Sequence, residues 1–176
     1  MKINLFIDMD GTVAKFYQKK NYLEKMYEKN FFKNLKPYRI TKDLNELAKK
    51  DCAIKVYILS ACVKTDFCEE EKLAWLKKYM PNVNEENIIF TKVGENKLEK
   101  AVAKLGEEIA KDDINILLDD YTENLLAWNL TPHFVGIKFI NEINGKSKRW
   151  QGRRIKNYKQ LFDTIANLLI YNFLQN

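Results

Sequence analysis

Near the start of the chain a largely apolar run, Ile3 to Ile7, stops abruptly in Asp8-Met9-Asp10-Gly11-Thr12-Val13. An apolar run closed by turn residues predicts a short buried strand. A strand that ends in Asp-x-Asp-Gly delivers two carboxylates to the C-terminal edge of a sheet, which is where open α/β sheets bind ligands. Two carboxylates so close repel each other, so such a pair calls for a cation to hold or a proton to share. Hard oxygen donors suit magnesium, and a phosphate would supply further ligands to the same ion. The pair also divides the chemistry. Asp8, at the strand end, is placed to attack phosphorus, and Asp10 to protonate the leaving oxygen and later deprotonate water. Gly11 lets the chain turn sharply behind them.

The rest of the pattern alternates strands with helices. Tyr22, Leu23, Met26 and Tyr27 recur at helical spacing in an aromatic and lysine-rich segment, which predicts a small helical cap at about 15–40, inserted after the first strand. Thr41 is placed to cap a helix carrying Leu44, Leu47 and Ala48. Ala53 to Leu59 is a β-branched run ending at Ser60 and Ala61, and Asp66 with Glu69 has capping-box spacing ahead of Leu73, Leu76 and Met80. A third strand is expected over Asn87 to Thr91, then a helix from about Lys97 to Leu105 stopped by Gly106. Asp113 to Asp120 repeats the opening motif, an apolar strand closed by Asp119-Asp120, and Thr122 is placed to cap a helix through Trp128. Gly136 to Ile140 reads as a fifth strand, Asn144-Gly145 as a hairpin turn, and 141–154 as a surface hairpin in preference to a substrate contact. Leu161, Ile165, Leu168 and Leu169 mark one face of a last helix. The expectation is an α/β, Rossmann-like, mostly parallel five-stranded sheet with helices on both faces, as a single domain over 1–176.

At 176 residues the chain has room for one core and a small insertion, not for two full domains. No apolar run approaches a membrane span, and Met1-Lys2-Ile3 leads into a strand rather than a signal peptide, so a cytoplasmic protein away from membranes is expected. Cys52, Cys62 and Cys68 are odd in number and lack metal-ligand spacing, so neither a disulfide framework nor a zinc site is indicated, and they fit a reducing compartment. Lys plus Arg number 30 against 24 Asp plus Glu, a net charge of +6 that suits a lysine-rich surface or a small anionic substrate. No long single-sign block marks a nucleic-acid arm, so nucleic acid is disfavoured as a partner and a nucleotide favoured; a homodimer is compatible with the composition.

Right-handed crossovers put all the strand C-termini on one edge. Asp8 and Asp10, then Ser60, then a lysine, then Asp119 and Asp120 follow successive strands, and together they can clamp a phosphoryl group. This order of motifs resembles the haloacid dehalogenase superfamily of aspartate-nucleophile phosphatases. More narrowly, Asp8-Met9-Asp10-Gly11 with Val13-Ala14 and Phe16, Phe31-Phe32 with Leu35, Lys64, and Glu71-Lys72-Leu73-Ala74-Trp75-Leu76-Lys77-Lys78-Tyr79 resemble the cytosolic C-type 5′(3′)-deoxyribonucleotidases. The resemblance implies a magnesium-dependent phosphomonoesterase that hydrolyses nucleoside monophosphates through an aspartyl-phosphate. It implies Asp8 as nucleophile, Asp10 as general acid and base, and Ser60 with Lys97, or alternatively Lys92, on the phosphate. Phe16, Phe32 and Lys64 would meet the substrate, aromatic rings being able to stack on a base. Asp8, the backbone carbonyl of Asp10, and one or both of Asp119 and Asp120 would hold Mg2+.

The chain departs from that family in carrying Lys15 before the Phe, Ala61-Cys62 after the second strand, and a short cap. These departures bear on base and sugar preference and leave the phosphatase chemistry untouched. His133 reads as a loop residue, since the aspartyl route does not need it. The competing readings are the same chemistry on another small phosphate ester or a nucleic-acid 3′-phosphate, and a non-enzymatic nucleic-acid binder. The binder has no use for carboxylates paired twice on one edge, which repel a phosphate backbone.

Overall fold

The computed structural model describes residues 2–50, 53–106, 113–146 and 148–175; Cys52 lies outside them. Its sheet has six strands, all parallel, in the order β3-β2-β1-β4-β5-β6. They are β1 (Ile3–Ile7), β2 (Ile54–Cys62), β3 (Ile88–Lys92), β4 (Ile114–Asp119), β5 (Phe134–Phe139) and β6 (Arg153–Ile155). The order reverses between β1 and β4, so the two strands that end in paired carboxylates flank the switch point of the sheet, where a ligand crevice opens. Every residue of β1 and β4 is buried, as a central parallel sheet covered on both faces requires.

Alternation along the strands splits the core in two. Ile3, Leu5, Ile7, Ile116 and Leu118 face α2 (Ile40–Lys49), α3 (Cys68–Tyr79) and the last helix, α6 (Tyr158–Gln175), through Leu44, Trp75, Leu76, Leu161 and Ile165. Phe6, Tyr57, Leu59 and Leu117 face α4 (Lys97–Leu105) and α5 (Thr122–Trp128) through Ala101, Leu105, Leu125 and Trp128. Cys62 and Cys68 are buried free thiols.

The sixth strand corrects both the five-strand expectation and the surface hairpin over 141–154. Trp150 is 1% exposed, packs in the second core and donates its indole N–H to the Arg153 carbonyl at 2.9 Å. So anchored, Arg153–Ile155 pairs parallel with Ile137–Phe139 instead of folding back on it. Asn144 makes no hairpin turn; its amide donates to the carbonyls of Phe139 and Asp120. Three helix caps also differ. Arg39, Phe67 and Tyr121 hold the N-cap positions of α2, α3 and α5, without side-chain cap bonds. Thr41 lies inside α2 and donates to the Val13 carbonyl at 2.8 Å. Ser60 lies within β2 rather than after it.

Between Ala14 and Pro37 the chain leaves the sheet and returns. Lys15 N–H donates to Lys36 O and Tyr38 N–H to Val13 O, a two-stranded neck below the excursion. Above the neck lie two 3-10 turns, Phe16–Gln18 and Phe32–Asn34, and α1, the single turn Tyr22–Lys25. Helical spacing overstates this helix, and Leu23 and Tyr27 are exposed. Phe16, Tyr17, Tyr22, Phe31 and Phe32 pack against one another ring to ring. Glu71 of α3 fastens this group to the body by accepting the backbone N–H of Asn30 and, at 3.1 Å, of Phe32. Trp75 adds a bond from its indole N–H to Leu35 O at 2.8 Å.

Candidate active site

Asp8 continues the β1–β4 pairing by donating its N–H to Leu118 O at 2.9 Å, which sets its side chain beside Asp119. Carboxylate oxygens of Asp8, Asp119 and Asp120 all lie within 4.8 Å of one another, and all three residues are buried. Lys97, the first residue of α4, reaches between two of them, with Nζ 2.6 Å from Asp8 Oδ1 and 2.7 Å from Asp119 Oδ2. Asn96 caps that helix by accepting the Leu98 N–H, which holds Lys97 at its start. Lys92 is exposed at the end of β3, away from the carboxylates.

Three carboxylates against one ammonium leave negative charge in a dry place. Burial, with Asp119 and Asp10 adding to it, raises Asp8 to about 7 against the pull of Lys97. Burial, then Asp119 and Asp8, also raises Asp120 well above the carboxylate range. Burial works to lower Lys97, but Asp119 and Asp8 outweigh it and the net shift is upward. A donor set of hard, crowded oxygens short of positive charge fits a divalent cation such as magnesium.

The acidic loop is held tightly. Gly11 has φ +82°, and a Cβ there would stand 2.5 Å from the Tyr17 ring and 2.7 Å from Asp120 Oδ2, so no other residue fits. Asp120 Oδ2 accepts Tyr17 Oη–H at 2.9 Å and Asn141 Nδ2–H at 3.0 Å, and the same Asn141 amide donates to Gly11 O at 2.9 Å. Asp119 accepts the Tyr121 N–H at 2.7 Å and the Asn124 amide at 2.9 Å.

Asp10 points away from the triad to a second ammonium. Lys72 Nζ lies 2.6 Å from Asp10 Oδ2, 2.9 Å from Ser60 Oγ and 2.5 Å from Ala61 O, and 4.9 Å over the Phe32 ring. Asp10 Oδ1 is buried with no partner among the described residues. The pattern of charge and spacing gives Lys72 no role, because it sits mid-helix in a Glu- and Lys-rich stretch that reads as a solvated face. The only sign of it is that the same stretch carries the family resemblance. Nor does any sequence pattern mark Asn141 or Tyr17, whose bonds to Asp120 join residues far apart in the chain.

Phe16 and Phe32 line a cavity of about 630 Å3 together with Asp10, Tyr22, Met26 and Asp120. Lys64 lines a different groove, beside Cys62, Asp66 and Lys92, and the fold does not bring it to the carboxylates. His133, at φ +64°, is an exposed loop residue before β5.

Residues 21–167 match the family model described as 5′ nucleotidase, deoxy (pyrimidine), cytosolic type C protein. Costunolide synthase from Cichorium intybus is 27% identical over 125 residues, 69% of this chain and 24% of that protein, and the protein of the same name from Lactuca sativa is 26% identical over the same shares. The chain thus spans about a quarter of the length of these curated relatives. Among solved structures, a phosphoserine phosphohydrolase-like protein from Francisella tularensis subsp. tularensis SCHU S4 superposes with a TM-score of 0.55 at 17% identity, over 94% of this chain and all of that one. DsGPDH of Dunaliella salina gives 0.53 at 14%, over 90% of this chain and 28% of that one. At such identities the two structures share the fold. No helix among the described residues is long and apolar enough to cross a membrane.

Proposed function

The chain belongs to the cytosolic type C family of 5′ nucleotidases, and from that premise we propose that it is a magnesium-dependent phosphomonoesterase acting on nucleoside monophosphates, deoxyribonucleotides among them. The observation that carries this reading is the meeting of Asp8, Asp10, Ser60, Lys72, Lys97, Asp119 and Asp120 at one sheet edge. Asp8, Asp119 and Asp120, with the Asp10 carbonyl, would hold Mg2+, which when bound supplies positive charge to the phosphoryl oxygens.

Lys97 engages Asp8 through Oδ1 and fixes the carboxylate, so its second oxygen attacks phosphorus. The bond from phosphorus to the ester oxygen breaks, and Asp10 gives that oxygen a proton. Asp10 then takes a proton from water, the water oxygen bonds to phosphorus, and the bond to Asp8 breaks to release phosphate. Lys72 and Ser60 donate to the phosphoryl oxygens as charge builds on them. The segment at about 15–40 acts as a cap, with Phe16 and Phe32 walling the nucleoside cavity. Lys64 remains an outer substrate contact in this reading, reached only by a substrate that extends past Val63.

The test is phosphate release from deoxy- and ribonucleoside 5′- and 3′-monophosphates, with and without Mg2+. Asp8→Asn is expected to lower kcat by about a thousandfold or more with an unchanged far-ultraviolet circular dichroism spectrum. A folded Asp8→Asn protein with near-normal turnover would remove the mechanism.

A further inference from the structure

The nucleoside cavity has two chemically different halves. Phe16, Tyr22, Met26 and Phe32 make one of them apolar, and the other is walled by Thr122, Lys138, Asn144 and Arg149. Lys138 is the residue the mechanism leaves unused. It sits in β5 directly opposite Asp119 and is 2% exposed. An ammonium carries three N–H donors, and a buried one is costly unless they are taken. Among the described residues Lys138 has one hydrogen-bond partner, Thr122 Oγ at 2.5 Å, and no carboxylate within ion-pairing distance.

The carboxylates nearest to it in the sheet are already engaged. Asp119 accepts from Lys97, Tyr121 and Asn124, and Asp120 from Tyr17, Asn141 and Thr12. Arg149, the other cation on this wall, is spent on Glu123 at 2.8 Å. Burial, with the Arg154 charge on the neighbouring strand adding to it, lowers the Lys138 pKa, while Asp120 and Asp119 act at a distance against the shift. Two ammonium donors therefore border the cavity without acceptors of their own. In the proposed mechanism Ser60 and Lys72 hold the reacting phosphoryl group, so a substrate would meet these donors with a different acceptor.

Pairing of Ile7 with Leu118, and of Asp119 with Lys138, sets Lys138 level with Asp8 and two strands away, about 10 Å between backbones. The lysine side chain covers part of that distance. A substituent on the far side of a bound sugar from the reacting phosphate would fall within its reach if the base lay against Phe16 and Phe32.

Resting on the nucleotidase reading, we infer that Lys138 is a specificity-determining residue that receives a second phosphate on the same sugar, so that the preferred substrate class is the nucleoside 3′,5′-bisphosphate.

The experiment compares kcat/KM for phosphate release from a deoxynucleoside 3′,5′-bisphosphate and from its 5′-monophosphate. Wild type is expected to favour the bisphosphate by about tenfold or more, and Lys138→Met to lower that ratio by a similar factor, as loss of a charge-assisted bond implies. Lys138→Arg should keep most of the ratio. A wild-type ratio near one overturns the inference whatever the variants do. So does an equal loss on both substrates in Lys138→Met, which would make Lys138 only a counter-charge to Asp119 and Asp120. Calorimetric titration of the two nucleotides into Asp8→Asn, with and without Lys138→Met, repeats the comparison without turnover. A protein that releases phosphate from neither substrate would end the nucleotidase reading, and the titration would still decide the site. A bisphosphate preference lost with Lys138→Met supports it, and equal affinities overturn it.

Discussion

Helices α3 and α4 each deliver one buried lysine to the same acidic loop, yet the two ammonium groups keep different company. Among the described residues Lys97, from α4, bonds only to carboxylates, those of Asp8 and Asp119. Lys72, from α3, touches one carboxylate, one hydroxyl and one carbonyl, and lies over the Phe32 ring. The α4 side is thus a problem of charge, with three buried acids sharing one cation. The α3 side is a problem of hydrogen bonding, in which one ammonium holds an acid, a hydroxyl and a carbonyl together. In the proposed mechanism the two halves of phosphoryl transfer, attack and proton delivery, would be served by two different helices.

Lys97→Met probes the charge side and carries the larger effect. Removing one partner of a buried pair typically costs about 3 kcal/mol, and kcat should fall by about 100-fold or more with the loss of a fixed donor. Because Asp8, Asp119 and Asp120 would then lack a contacting cation among the described residues, added Mg2+ should recover part of the lost stability by replacing positive charge. Thermal unfolding of wild type and variant, with and without Mg2+, checks this. A stability deficit that Mg2+ leaves unchanged would show that the triad does not share its charge with a cation.

Lys72→Met probes the other side, and its stability cost should be smaller because the Asp10 side chain is 23% exposed and water can reach it. Turnover should fall by about 100-fold, while the change in melting temperature should be the same with and without Mg2+. If Mg2+ repairs this variant as well as Lys97→Met, the division between the two helices is wrong.

The sequence made the α4 side far easier to read than the α3 side. A strand such as Ile114 to Leu118 that stops at two aspartates is visible as a pattern, and Lys97 follows Gly94-Glu95-Asn96, where a helix must begin. Lys72 has no such mark. Its burial is created by groups distant in the chain, Asp10 and Phe32, and nothing in the spacing of α3 separates it from the exposed Lys77. Glu71 and Trp75, beside it, carry the family resemblance, and the reason is now physical: they fasten Asn30, Phe32 and Leu35 to the body. The sixth strand was hidden for a different reason. Three residues, two of them exposed arginines, give no periodicity, and their pairing depends on Trp150 packing in a core that no local pattern reveals. Asn144-Gly145 has turn chemistry, but the acceptors that capture Asn144 are the carbonyls of Asp120 and Phe139.

Two buried hydroxyls on adjacent strands sharpen the contrast at its smallest scale. The Ser60 Oγ is engaged, accepting the Lys72 ammonium N–H at 2.9 Å. Thr91, across the β2–β3 pairing from Ala61, borders the cavity shared by Asp8 and Lys97, and its hydroxyl is buried with no partner among the described residues. Removing a satisfied group strands its partner, whereas removing an unsatisfied one relieves a desolvation cost. Ser60→Ala should therefore lower stability by about 1 kcal/mol, and Thr91→Val should leave it unchanged or raise it by up to about 1 kcal/mol. Parallel denaturant titrations of the two variants measure the sign directly. A loss in Thr91→Val equal to that in Ser60→Ala would mean that the α4 side, too, holds its groups by hydrogen bonding, and the distinction between a charge-governed and a bond-governed half of the site would fail at that point.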